Sequence, residues 1–167
     1  MAASYAFFSS NDKQGKRRDF ISFHVSNPGT LNGAVEYIGS LPASGVDGQT
    51  LGNGWELVAA EVGALVNTTH DTSESITATV EKTDGGTSML ATAPVITAAS
   101  GTGAQNSSDG GTEDVRGVPS ATEANKRLAD FGGFIVTLTE AGSGGTDPSD
   151  VYAVVTFARL QDFNPAA

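Results

Sequence analysis

Two histidines, His24 and His70, are the side chains in this sequence best suited to move a proton near neutral pH or to hold a transition metal. No second His and no Cys stands at ligand spacing from either. His24 sits in an alternating apolar pattern and His70 in the polar turn from Asn67 to Asp71, so both are expected to be structural or solvated. Acidic residues gather at Asp109, Glu113 and Asp114 and again at Asp147 and Asp150, where loop oxygens suit Ca²⁺. They lack the one-three-five spacing and closing Glu of a calcium loop. No Ser stands in a G-x-S-x-G elbow, and Gly101-Thr102-Gly103 opens like a phosphate-binding loop and then departs from it without leading into a helix. The glycines therefore mean turns, and the expectation is a protein without catalytic residues, bound metal or cofactor.

The residues that remain for function are recognition residues. Tyr5, Phe7 and Phe8 lie beside a basic cluster, Lys13, Lys16, Arg17 and Arg18, ahead of the first good strand pattern. Residues 1–18 carry those four cations against Asp12, a net of +3, while the rest of the chain carries five basic and eighteen acidic residues, a net of −13. A body of that charge repels a phosphate backbone, so nucleic acid is not expected as its partner. Residues 1–19 read as an N-terminal arm that buries its aromatics on a partner while its cations meet acidic surface.

The elements behind this arm follow a strand rhythm. Phe20 to Val25 alternates and ends in Asn27-Pro28-Gly29; Ala34 to Leu41 follows, closed by Pro42. Trp55 to Val62 fits a strand better than a helix, with Trp55 in the core. Ser75 to Lys82 puts Ile76, Ala78 and Val80 on one face and Thr77, Thr79 and Glu81 on the other. The Asp84-Gly85-Gly86 turn then predicts a hairpin with Met89 to Thr97, whose Pro94 pushes that run to an edge or a bulge. Ala98 to Thr122 is a long polar loop, expected to lie across a neighbouring subunit with Val115 and Val118 as its anchors. Glu123 to Phe131 suits one or two helical turns before Gly132-Gly133.

The chain closes on its two clearest strands, Phe134 to Glu140 and Asp150 to Leu160, expected as a terminal hairpin. In the second, Val151, Ala153, Val155 and Phe157 share one face and Tyr152, Val154, Thr156 and Leu160 the other. Both faces are largely apolar, so the strand belongs mid-sheet with each face covered. Tyr152, Val154 and Leu160 are the residues expected at an oligomer interface.

Length and composition agree with one all-β domain over 20–167, an antiparallel β-sandwich or jelly roll of seven to eight short strands. The 167 residues suffice for a sizeable core, and 21 glycines are nearly twice the usual ~7%. There is no Cys, hence no disulfide framework. No run approaches the ~18 apolar residues of a membrane span, and the N-terminus lacks a signal-peptide pattern, so a soluble protein is expected without a membrane partner.

Taken together, SITATVEKT, the TAPVITAAS run, the long polar loop and the closing DVYAVVTFARL resemble the capsid decoration, or cement, proteins of tailed bacteriophages of the jelly-roll or β-sandwich type. The resemblance covers about residues 20–162 and lies in strand rhythm and composition. It implies a virion protein made in the host cytoplasm and placed on the capsid surface. There it would be a homotrimer that clamps neighbouring major capsid proteins without catalysis. A receptor- or glycan-binding module of a tail or fibre, or a tail-tube or connector component, is the alternative.

Overall fold

The structure, a computed structural model, describes residues 3–11, 17–45, 51–66, 75–97, 116–142 and 149–160. They form β1 (Ala3–Asn11), β2 (Arg17–Thr30), β3 (Ala34–Ser40), β4 (Trp55–Val66), β5 (Ser75–Lys82), β6 (Leu90–Thr92), β7 (Val95–Thr97), β8 (Val118–Pro119), the single helical turn α1 (Glu123–Lys126), β9 (Arg127–Leu128), β10 (Gly133–Ala141) and β11 (Ser149–Arg159). The all-β expectation holds.

Pairing is nested rather than sequential. The antiparallel pairs are β2 with β11, β3 with β10, β4 with β9 and β5 with β7. The second half of the chain thus runs back along the first, and the doubled chain is rolled so that successive pairs fall in alternate layers. One sheet has the order β1-β2-β11-β4-β9 and the other β3-β10-β5-β7. This is the connectivity of a jelly roll. Strand β1 extends the first sheet outside the roll, and β6 and β8 make a small ribbon.

The nesting corrects one expectation. β10 and β11 do not form a terminal hairpin: β10 lies between β3 and β5, and β11 between β2 and β4. Each has two partners from the first half of the chain, which leaves neither an edge for the other. The expected return of Met89 to Thr97 along β5 is found, with interruptions. The chain turns through positive-φ Gly85 and Gly86, Glu81 bridges Ser88, and Val95–Thr97 pairs with Ser75–Thr77. Pro94 falls where β6 leaves to meet β8, and β7 is an edge strand of its sheet.

The core lies between the sheets and follows the alternation of the strands. Ile76, Ala78 and Val80 of β5, Phe134, Val136 and Leu138 of β10, and Val151, Ala153, Val155 and Phe157 of β11 are buried. Phe134 bridges the layers, with its ring centroid 4.9 Å from Phe23 and 5.0 Å from Phe157. Each buried Val, Leu, Ile or Phe side chain contributes roughly 1.5–3 kcal/mol by leaving water. Trp55 is buried as expected and donates its indole N–H to the Pro42 carbonyl at 2.9 Å. Tyr37 of β3 reaches across to donate its hydroxyl to the Ser26 carbonyl of β2 at 2.8 Å, and burial pushes that phenol's pKa up.

The described part of the long polar loop folds onto its own chain. Arg116 bridges Glu61 of β4 in the backbone and with a 2.8 Å ion pair, and Gly117 N–H donates to the Ala60 carbonyl. Val118, expected as an anchor, is exposed; Ser120, beside it, is buried and donates its N–H to the Met89 carbonyl. Val115 and the rest of the loop to residue 98 lie outside the described residues.

Candidate functional site

The expected arm supplies the edge of a sheet. Tyr5, Phe7 and Phe8 lie in β1, opposite Phe23, Ile21 and Phe20 of β2, and Arg17 and Arg18 begin β2 opposite Asn11 and Ser10. Lys13 and Lys16 fall outside the described residues, as do His70, the cluster at Asp109, Glu113 and Asp114, and Asp147. Asp150 is described: it takes a positive φ of 52° at a break in the β2–β11 register and accepts the Gly29 N–H at 3.2 Å. Asp tolerates that conformation better than most residues, so its carboxylate has a structural task.

On β11 the outer face is half-buried, with no layer of the described chain over it. Tyr152 and Val154 stand there together. Tyr152 stacks on His24 with centroids 5.4 Å apart and rings 27° from parallel. Gly63 of β4, directly opposite, makes room: a Cβ there would be 2.4 Å from the phenol ring. Leu160 is not part of this patch. It follows the strand eight residues on, about 27 Å along extended chain, where its N–H donates to the Gly54 carbonyl. His24 thus has an aromatic partner on an open face, a role its alternating surroundings did not reveal.

A second surface has no counterpart in the sequence pattern. At the side of the roll where β3 ends one sheet, the layers leave a cleft along β2. One part, about 340 Å³, is lined by Phe23, Val25, Glu36, Tyr37, Ile38, Gly39 and Phe134. The next, about 300 Å³, is lined by Ile21, Phe23, Ser40, Leu41, Pro42 and Phe131. Phe23 belongs to both, so they form one apolar trough. Its rim carries two of the most exposed large apolar side chains described, Ile38 at 77% and Phe131 at 65%.

Phe131 is also held in the left-handed region, with φ 60°. For a bulky L residue this costs about 1–2 kcal/mol, and it persists only where neighbours fix the backbone. Here they do. Asp130 accepts the Ser44 N–H at 2.8 Å and the Gly52 N–H at 2.6 Å; Gly132 donates to Ala129 at 2.9 Å; and the Leu41 N–H takes the Gly132 carbonyl at 3.1 Å. Burial opposes ionisation of Asp130, but hydrogen bonds from the Ser44 side chain, Gly52 and the Ser44 backbone outweigh it and hold its carboxyl below the ordinary range. Upstream, Lys126 sits between Glu56 at 2.7 Å and Glu123 at 2.9 Å, which ties α1 to β4. The sequence signal for this turn was Asp-Phe-Gly-Gly, an apolar residue where turn chemistry favours a small or polar one.

Among the described residues no group of three or more His, Cys, Asp or Glu is placed to hold a metal ion. What the arrangement offers is apolar recognition, in the trough, and ring stacking, on the outer face. Comparison of this chain with protein-family models, with curated proteins and with solved structures found no match.

Proposed function

We propose that this chain is a structural virion protein, a capsid decoration or cement protein that binds the outside of a phage head and stabilises contacts between major capsid proteins. The observation that carries the reading is Phe131: a strained, exposed aromatic at the mouth of an apolar trough, fixed by hydrogen bonds from three segments. Strain of this kind clusters at active sites, ligand clamps and switch regions. The jelly-roll connectivity supports the reading, since viral capsid proteins use that architecture, although lectins and cupins use it too.

In this picture an apolar segment of the major capsid protein lies in the trough between Ile38 and Phe131. The cations of residues 13–18 meet acidic capsid surface, and the Tyr152 and Val154 face joins subunits into the expected trimer. The test is co-sedimentation of the purified protein with phage heads that lack their decoration, together with the heat resistance of the decorated heads. Phe131→Ser and Ile38→Ser should each lower occupancy by about ten-fold or more. Full occupancy by both variants would remove the trough from the mechanism, and no binding by the wild-type protein would end the proposal.

One observation favours the alternative, a glycan-binding module of a tail or fibre. The His24–Tyr152 stack on an open sheet face resembles a platform for a sugar ring. Glycan-array binding abolished by Tyr152→Ala, with no affinity for heads, would select that reading.

A further inference from the structure

The two sheets differ by one strand on the side of the trough. β3 ends the four-stranded sheet and lies across from β2, whose Ser26 carbonyl takes the Tyr37 hydroxyl, while the other sheet runs on from β2 to β1. Among the described residues no strand pairs with the outer edge of β3. That edge is not blunted as sheet edges usually are. β7 and β9 end their sheets with three and two residues, and β7 follows directly on Pro94. β3 has seven, AVEYIGS, with no Pro and an unbroken register from Ala34↔Thr139 to Ser40↔Gly133.

The register also says which backbone groups are open. The Leu41 N–H donates to Gly132 and the Gly33 carbonyl accepts from Glu140, so the odd-numbered residues of β3 bond to β10. The N–H and C=O groups of Glu36, Ile38 and Ser40 point the other way, along the trough that these residues line. An occupant without a backbone, such as a lipid chain, would cover the apolar floor and strand those groups away from water. An extended peptide meets both needs, because its backbone pairs with β3 while every second side chain enters the trough. Charge adds a third requirement. Glu36 is the one charged residue of β3 and, among the described residues, of the trough lining; it is exposed, on a chain of net charge −10. A residue paired with it has its Cβ about 4.5–5.5 Å away, where Lys or Arg is favoured. β1, the other long described strand that ends a sheet, holds no Lys or Arg to set against Glu36, so the occupant is a different protein.

We propose that the trough and the outer edge of β3 form a strand-addition site for an extended segment of a partner protein, apolar at alternate positions and bearing Lys or Arg opposite Glu36. This rests on the reading of the trough as the binding surface and states how the partner's backbone is held there; it does not require that the partner be a capsid protein.

The probe is an acetylated, amidated heptapeptide in which Val and Lys alternate, titrated into the full-length protein. Amide exchange at Glu36, Ile38 and Ser40 should slow about ten-fold or more at saturation, while Tyr37 and Gly39, already bonded to β10, change little. N-methylation of one alternate set of the peptide's amides should abolish binding and N-methylation of the other set should not, because only one edge of the added strand faces β3. Replacing Lys by Glu should weaken binding about ten-fold at low salt, and Glu36→Lys should reverse that preference. No binding by the parent peptide, the same result from both methylated forms, or equal binding of the Lys and Glu peptides overturns the proposal. So does a native mass spectrum of dimers whose β3 amides are protected without peptide, since a second copy would then be the occupant. Ile38→Pro removes one outward N–H and no bond to β10. Phage heads that bind this variant as well as wild type would overturn strand addition and leave the capsid reading standing; peptide binding as expected, with heads that bind neither protein, would end the capsid reading and support the strand-addition site.

Discussion

Gly39 of β3 stands directly opposite Phe134 of β10, and the phenyl ring lies across it so closely that a Cβ on Gly39 would be 2.4 Å from the ring's Cζ. Phe134 has nowhere to go. It is buried and packed against Phe23 on one side and Phe157 on another. Gly39→Ala should therefore destabilise the fold by about 1–3 kcal/mol, as overpacking does. Urea unfolding followed by Trp55 fluorescence measures it, and a neutral result would mean that the trough beside Phe134 absorbs the methyl group.

A buried ion pair closes the start of β2 onto the end of β11. Asp19 is 4% exposed, and its carboxylate meets the Arg159 guanidinium at 2.5 Å, while Arg159 also donates to the Gly45 carbonyl at 3.1 Å. Removing one partner strands the other charge. Asp19→Ala should cost about 3–5 kcal/mol, and the double variant Asp19→Ala, Arg159→Met distinctly less than that. A double-mutant cycle in which the two changes simply add would show that the pair is not coupled.

Faces were legible in the sequence and partners were not. Alternation placed Ile76, Ala78 and Val80 inward and Thr77 and Thr79 outward, because side-chain direction along a strand is local. It placed β11 in the middle of a sheet because both of its faces read as apolar. Nothing local says that β11 pairs with β2, more than a hundred residues earlier, rather than with β10 beside it. Nested pairing is a property of the whole chain. Residues 1–19 read as an arm because Tyr5, Phe7 and Phe8 stand beside a basic cluster ahead of the first regular alternation, although Ala3–Asn11 contains no Pro, Gly or charged residue to oppose a strand. The trough is not legible locally for a related reason: it is built from Phe23, Ile38 and Phe131 on three separate segments, and only the roll brings them together.

The contacts of Asp130 with Ser44 and Gly52 are sensitive to acid. The Asp130 carboxyl is held below its ordinary value, chiefly against the opposing effect of burial, by the Ser44 side chain and the Gly52 and Ser44 N–H groups. A depressed folded-state pKa contributes stability that is fully present above the unfolded value, about pH 4, and is lost as the pH falls through the folded value. Asp130→Asn should lower the melting temperature at pH 7 and lose part of the decline seen below about pH 4. A variant whose acid limb matches that of the wild type would show that other carboxylates set it.

Phe131→Gly separates presentation from packing. Glycine accepts a φ of 60° without strain, which relieves about 1–2 kcal/mol, while its extra freedom in the unfolded chain offsets roughly 0.5–1 kcal/mol. The ring is 65% exposed, so little burial is lost. The variant should melt at the wild-type temperature or slightly above it, whereas Phe131→Ala, which keeps a Cβ in the left-handed region, should gain nothing. If the ring is there to be presented, particle occupancy falls while stability holds or rises. A loss of stability of more than about 1 kcal/mol, of the kind that follows removal of a packed side chain, would instead make Phe131 part of the scaffold and leave its strain without a functional reason.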